Sequence, residues 1–145
     1  QKEYEVHFGE QECLNLLDDA RKSLDELNEL IQKGMPYENF AQPSPENCKF
    51  CIYRPGCKSY WEKRQDTDEW PADVRGAIKE KKILGNGSIR IVIEHDGKKA
   101  VIRGLSPERH IFLSEEINTV MFCNLGHDSA DGFFVERPLT AGYKL

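Results

Sequence analysis

Three of the chain's five cysteines fall within ten residues, as Cys48, Cys51 and Cys57 in the stretch ENCKFCIYRPGCKSYW (46–61). The spacing is C-x2-C-x5-C. Two thiolates two residues apart can turn back onto one metal centre, and a third enters from the start of the following helix, whose N-terminal end favours their negative charge. Soft sulfur ligands suit zinc or an iron–sulfur cluster rather than calcium or magnesium. Both normally take four protein ligands, and only three are local. Cys13 lies in an apolar helical stripe and Cys123 in a strand pattern, so both are expected in a core, where a free cysteine packs as a small hydrophobe. His7, His95, His110 and His127 are scattered and read as surface or loop residues rather than ligands. The odd, uneven cysteine set, together with an N-terminus that lacks the apolar stretch of a signal peptide, argues against a disulfide framework. It favours a reducing, cytoplasmic setting.

The 145 residues leave room for one ordinary domain or two small ones, and no apolar run approaches the ~20 residues of a membrane-spanning helix. The net charge of −5 conceals an asymmetry. Residues 1–47 hold 4 Lys/Arg against 11 Asp/Glu, whereas residues 75–103 hold 8 Lys/Arg against 3 Asp/Glu. The acidic front reads as solvated helix surface and the basic stretch as an anion-binding face. Tyr4, Val6 and Phe8 alternate as in a short strand. Apolar residues from Cys13 to Ile31 then recur at spacings of three and four, predicting a long helix that Gly34 and Pro36 close. A second, two-turn helix is predicted over KSYWEKRQ (58–65).

From Val74 the pattern changes to strands. A GNG turn (85–87) separates the first two, HDGKK makes a second hairpin, and SPERHIFLSEEI (106–117) is predicted helical from its Ser106 cap and acidic first turn. Two more strands follow in TVMFCNL and FFVERPLTAGYKL. Strand, strand, strand, helix, strand, strand is the element order of the OB-fold, a five-stranded Greek-key barrel, although order alone leaves other small barrels open. The expected organisation is α+β: a helical cysteine-bearing tail over 1–66, a linker over 67–73, and a five-stranded barrel over 74–145.

The cysteine stretch CKFCIYRPGC, with Tyr53 and Arg54 between its second and third cysteines and an aromatic-rich helix after it, resembles the C-terminal cysteine knot of RecB-like nucleases of the PD-(D/E)XK superfamily. The strand, long helix and Pro-rich loop before it match the same layout, so the resemblance covers residues 1 to about 65. It implies that Cys48, Cys51 and Cys57 ligate a [4Fe-4S] cluster whose fourth cysteine lies upstream of residue 1, in the rest of the nuclease domain. It also implies magnesium- or manganese-dependent cleavage of DNA by the parent protein, in repair, recombination or defence, with a helicase or other protein as partner. The family's catalytic signature, an Asp followed by Asp/Glu-x-Lys, has no counterpart in this sequence. The chain by itself is therefore expected to be inactive, with no catalytic residue of its own.

The barrel segment also resembles OB-fold domains appended to such nucleases. An OB-fold binds along its second and third strands, joining cations that track phosphates to rings that stack on bases. Lys79, Lys81, Lys82, Arg90, Lys98, Lys99 and Arg103 are accordingly the expected nucleic-acid-binding residues, with single-stranded DNA as the ligand. Alternation sends Ile89, Ile91 and Ile93 into the barrel and leaves Arg90 and Glu94 outside. Two rivals stay open: a self-contained zinc-stabilised nucleic-acid-binding module, and an adaptor whose barrel grips a partner protein.

Overall fold

The computed structural model describes residues 7–95, 97–128 and 133–145. Residues form two compact units, Gln1–Gln42 and Pro43–Leu145. The first is dominated by helix α1 (Glu10–Gln32), which opens with Glu10 and Glu12 in its first turn. Glu12 Oε2 accepts from the Gly9 amide at 2.8 Å, satisfying one of the amides a helix start leaves unpaired. Along α1 no residue is buried; Leu16, Leu24 and Ile31 are all exposed. The periodicity that predicted the helix was right about conformation. It was wrong about burial for Cys13, which is exposed because no described residue of this unit covers the stripe. The strand expected at the N-terminus falls largely on residues 1–6, outside the described residues, as does Asp96 of the predicted second hairpin.

The second unit begins with two short helices, α2 (Pro45–Lys49) and α3 (Lys58–Lys63), separated by a 3-10 turn at Arg54–Gly56. Ser44 caps α2, its hydroxyl accepting from the Asn47 amide at 3.1 Å, and Pro45 occupies the first helical position. Seven strands follow: β1 (Val74–Ile83), β2 (Ile89–His95), β3 (Lys98–Leu105), β4 (Thr119–Cys123), β5 (Gly126–Asp128), β6 (Phe133–Val135) and β7 (Ala141–Lys144). They form one sheet in the order β5-β6-β3-β2-β1-β4-β7. β6 pairs parallel to β3 and β7 antiparallel to β4, so one stretch of chain, 133–144, serves opposite sides of the sheet. The sheet is thereby curled around a core of Ile91, Ile93, Ile102, Leu105, Val120 and Phe122.

The α+β class and the barrel-like curl match the sequence reading, but the strand count is seven rather than five. The expected last strand is cut in two around Arg137–Thr140, where the Arg137 amide donates to Thr140 Oγ1 at 2.8 Å, and β5 adds a hairpin beside β6. The helix expected over 106–117 is reduced to a 3-10 turn at Ile111–Ser114. The Ser106 hydroxyl caps one turn by accepting from the Arg109 amide at 3.4 Å, and long-range bonds hold that turn in place, with the Ser106 amide donating to Glu136 Oε2 at 2.6 Å and Arg109 Nη2 to the Thr140 carbonyl at 2.8 Å.

Long β1 belongs to both halves of the sheet. Its first residues pair with β4 and its later ones with β2, with an irregular register between Ile78 and Glu80. Gly76 sits where the halves meet; a Cβ there would lie 2.0 Å from the Glu94 carbonyl oxygen, so only glycine allows this approach. No helix among the described residues is long and apolar enough to cross a membrane.

Candidate nucleic-acid interface and cysteine segment

β4 is buried on both faces. Val120 and Phe122 point into the barrel core, while Met121 and Cys123 lie on the other side in a second buried cluster with Cys48, Tyr60 and Trp61. The cysteine segment and α3 therefore pack directly on the barrel, inside the single unit 43–145. The stretch 67–73, read from sequence as a linker, lies within this unit and contributes its most deeply buried charge, Asp73.

Asp73 is the centre of a clasp. Arg54, 3% exposed, donates through Nε to Asp73 Oδ2 at 2.6 Å and through Nη2 to Asn124 Oδ1 at 2.6 Å. Arg54 Nη1 reaches the carbonyls of Cys48 at 2.5 Å and Lys49 at 2.9 Å. Tyr60 Oη adds a hydrogen bond to Asp73 Oδ2 at 2.9 Å, and the Asn124 amide donates to Oδ1 at 2.8 Å. One guanidinium thus holds the backbone of the cysteine turn to the start of β1 and the end of β4. Burial pushes the Tyr60 hydroxyl far above its usual range, and the Asp73 carboxylate pushes it in the same direction. Tyr53, its neighbour in the sequence motif, is exposed.

Cys48 is buried at the end of α2, Cys51 follows in the turn, and Cys57 is the residue before α3; the latter two are partly exposed. Burial raises the Cys48 thiol; Cys51 and Cys57 raise it further, while the Ser44 backbone and Arg54 oppose them. Cys51 and Cys57 both influence the Cys48 thiol, and thiolates are donors of the type a thiophilic centre takes. Among the described residues, no group of three or more His, Cys, Asp and Glu side chains is arranged to hold a metal ion. Cys123 does not join them. Its thiol is pushed up to about 12 by burial and, next, by the Asp73 carboxylate, so it lies against the clasp.

The basic residues divide by strand face. Ile89, Ile91 and Ile93 are buried as alternation requires, which puts Arg90 and Glu94 on the outer face of β2. Residues paired across strands share a face. Lys82 opposite Arg90, and Lys99 opposite Glu94, therefore lie on that outer face too. Arg103, opposite Val135, extends the face to β6, where its guanidinium covers the Phe133 ring at 3.6 Å. Lys79 joins through an ion pair to Glu94 at 2.6 Å, and Arg90 pairs with Glu80 at 3.3 Å.

Two of the seven lie elsewhere. Lys81 is aligned with buried Ile91, and its ammonium caps the carbonyls of Leu113 at 2.8 Å and Glu115 at 3.2 Å. Lys98 turns to Asp66 at 3.5 Å.

Sequence reasoning missed His110, expected at the surface. It is 2% exposed, set edge-on to Phe122 and Phe112, with Nε2 at 3.4 Å from Glu136 Oε1. Burial lowers its pKa below the usual imidazole value, with Glu136 opposing and Arg109 reinforcing the shift. Phe133 was also missed as a ring on the cationic face; its alternation with Phe134 on β6 is the signal that could have shown it. Compared with known proteins, the chain matches no family model, no curated sequence and no solved structure.

Proposed function

We propose that the 43–145 unit is an OB-type barrel that binds single-stranded nucleic acid on its β2–β3 face and carries the cysteine-ligand segment of an iron–sulfur nuclease of the RecB-like kind. The topology supports the barrel assignment. β1 is shared between β2 and β4, and a last segment, broken into β6 and β7, pairs in parallel with β3 and antiparallel with β4. The observation that carries the binding function is the convergence of Lys82, Arg90, Lys99 and Arg103 with the Phe133 ring on one outer face. Cations there follow phosphates while a ring offers a stacking platform.

Replacing Arg90, Lys99 and Arg103 together by alanine is expected to weaken binding of a single-stranded oligonucleotide about tenfold or more at moderate salt. It is also expected to flatten the salt dependence by about 2, since each phosphate contact contributes about 0.7 to the slope for single strands. Fluorescence anisotropy across a salt series measures both. Unchanged affinity and slope would favour the reading in which this face, with its Lys79–Glu94 and Arg90–Glu80 pairs, serves a protein partner.

In the cysteine segment, Cys48, Cys51 and Cys57 would hold the cluster, whose contribution when bound is structural: it would tie α2, the turn and α3 together. Protein isolated without oxygen is expected to contain iron and sulfide and to absorb broadly in the visible, and Cys51→Ser should abolish the absorption. A colourless protein containing zinc would overturn the iron–sulfur part and support a zinc-stabilised module.

A further inference from the structure

We infer that a cavity at one end of the barrel accepts a single unstacked nucleobase carrying an exocyclic amine. This deepens the nucleic-acid reading above and rests on it. The cavity measures about 540 Å³ and is bounded by Arg64, Asp66, Asp68, Trp70, His127 and Phe134. That volume lies within the range of about 300–1,000 Å³ common for small-ligand sites.

Three aromatic rings, Trp70, His127 and Phe134, stand among its lining residues. Trp70 and Phe134 are half-buried, and His127 meets Phe134 edge-on with ring centroids 5.0 Å apart. A flat heterocycle is the ligand such walls suit. Its polar groups are mainly acceptors. Asp66 accepts from Arg64 Nη2 at 2.8 Å and faces Lys98 at 3.5 Å, and Asp68 supplies a second, exposed carboxylate. Carboxylates repel phosphate but accept hydrogen bonds from base amines. Arg64, its side chain 6% exposed, keeps a buried Nε–H without a hydrogen-bond partner among the described residues. A ring nitrogen or carbonyl is the kind of acceptor this donor lacks. Adenine, cytosine and guanine combine an amine with such an acceptor; thymine has no exocyclic amine.

The cavity is also placed to receive a base from the proposed strand path. Phe133 and Phe134 are successive residues of β6, and their side chains leave on opposite faces. Phe133 lies under Arg103 on the cationic face, whereas Phe134 lines the cavity. Phe134 leaves on the face opposite the cations, but Lys98, next to Lys99 in sequence, pairs with Asp66 of the cavity at 3.5 Å, and this ties the basic strand to the cavity. The phosphates stay on the basic face and one base turns in.

The test compares eight-nucleotide single strands of dA, dC and dT on the intact protein at fixed salt. Binding of dA and dC at least about fivefold tighter than dT is expected, the low end for one good base-edge pair. Asp68→Asn, an exposed substitution that should leave folding intact, and Trp70→Leu should each bring that ratio close to one. The Arg90, Lys99 and Arg103 triple alanine variant should weaken all three oligonucleotides and preserve the ratio. Equal affinities for the three strands, or a preference that survives Asp68→Asn, would overturn the pocket inference while leaving the basic face as the binding surface. No binding by any strand would overturn the nucleic-acid reading and the pocket with it. Quenching of tryptophan emission by N-acetyl-arginine amide, where dC has no effect, would assign the cavity to a protein side chain and overturn the inference.

Discussion

Replacing Asp73 by alanine is expected to destabilise the 43–145 unit by about 3–5 kcal/mol, the usual effect of removing one partner from a buried ion pair. Arg54 is only 3% exposed, so the change leaves a guanidinium inside the protein without its carboxylate. The same change strips the hydrogen-bond acceptor from Tyr60 and from the Asn124 amide, adding unsatisfied groups to an unpaired charge. With slopes of about 1–3 kcal/mol per molar urea, the unfolding midpoint should fall by at least about 1 M. Arg54→Met should cost a comparable amount, because Asp73 is then the stranded charge. The two changes combined should cost less than their sum, since neither charge remains to be compensated. A midpoint unmoved by Asp73→Ala, or strict additivity of the pair, would show that the clasp does not hold the cysteine segment to the barrel.

That clasp marks the limit of what the sequence disclosed. The alternation of Ile89, Ile91 and Ile93, the GNG turn and the three-and-four spacing of α1 are local signals, and each led to the element found. Asp73 meets Arg54 across 19 positions, and Arg54 meets Asn124 across 70. No periodicity reports such a pairing, so Asp73 looked like linker and Arg54 like one letter of a motif. Segment 106–117 was misread in extent: the Ser106 hydroxyl does accept from the Arg109 amide at 3.4 Å, as a cap should, but only a single turn forms there before the 3-10 turn at Ile111–Ser114.

The candidate site was legible to a similar depth. The spacing of Cys48, Cys51 and Cys57 puts three thiols in one short segment, but among the described residues they are not arranged to hold a metal ion, because ligand geometry depends on how the turn is folded rather than on spacing. Whether a cation follows phosphate or answers a nearby carbonyl depends on what lies across the sheet. Lys81 and Lys82 are adjacent in sequence, yet Lys81 caps the Leu113 and Glu115 carbonyls while Lys82 lies beside Arg90 on the outer face.

Phe122→Ala is expected to destabilise the barrel by about 3–5 kcal/mol, the range for emptying a phenylalanine site in a packed core. Phe122 is fully buried on β4 between Val74 of β1 and Gly142 of β7, and its ring meets His110 edge-on at 5.2 Å. Removing it opens a void in which imidazole and Phe112 lose a packing partner. The neighbouring glycine makes the test specific. A Cβ at Gly142 would lie 2.7 Å from Phe122 Cε1, 2.8 Å from His110 Nδ1 and 2.9 Å from Phe112 Cζ, so Gly142→Ala alone should overpack the cluster at a cost of about 1–3 kcal/mol. Once Phe122 is alanine, the nearest of those three contacts is gone and the added methyl occupies part of the void. The double variant should therefore be more stable than the sum of the single losses predicts, by about 0.5–3 kcal/mol, the range for residues that touch. Urea unfolding of the two single variants and the double measures this directly. Additive losses would mean that β7 does not press against Phe122 and that the contact of Gly142 with the aromatic cluster does not fix this edge of the sheet.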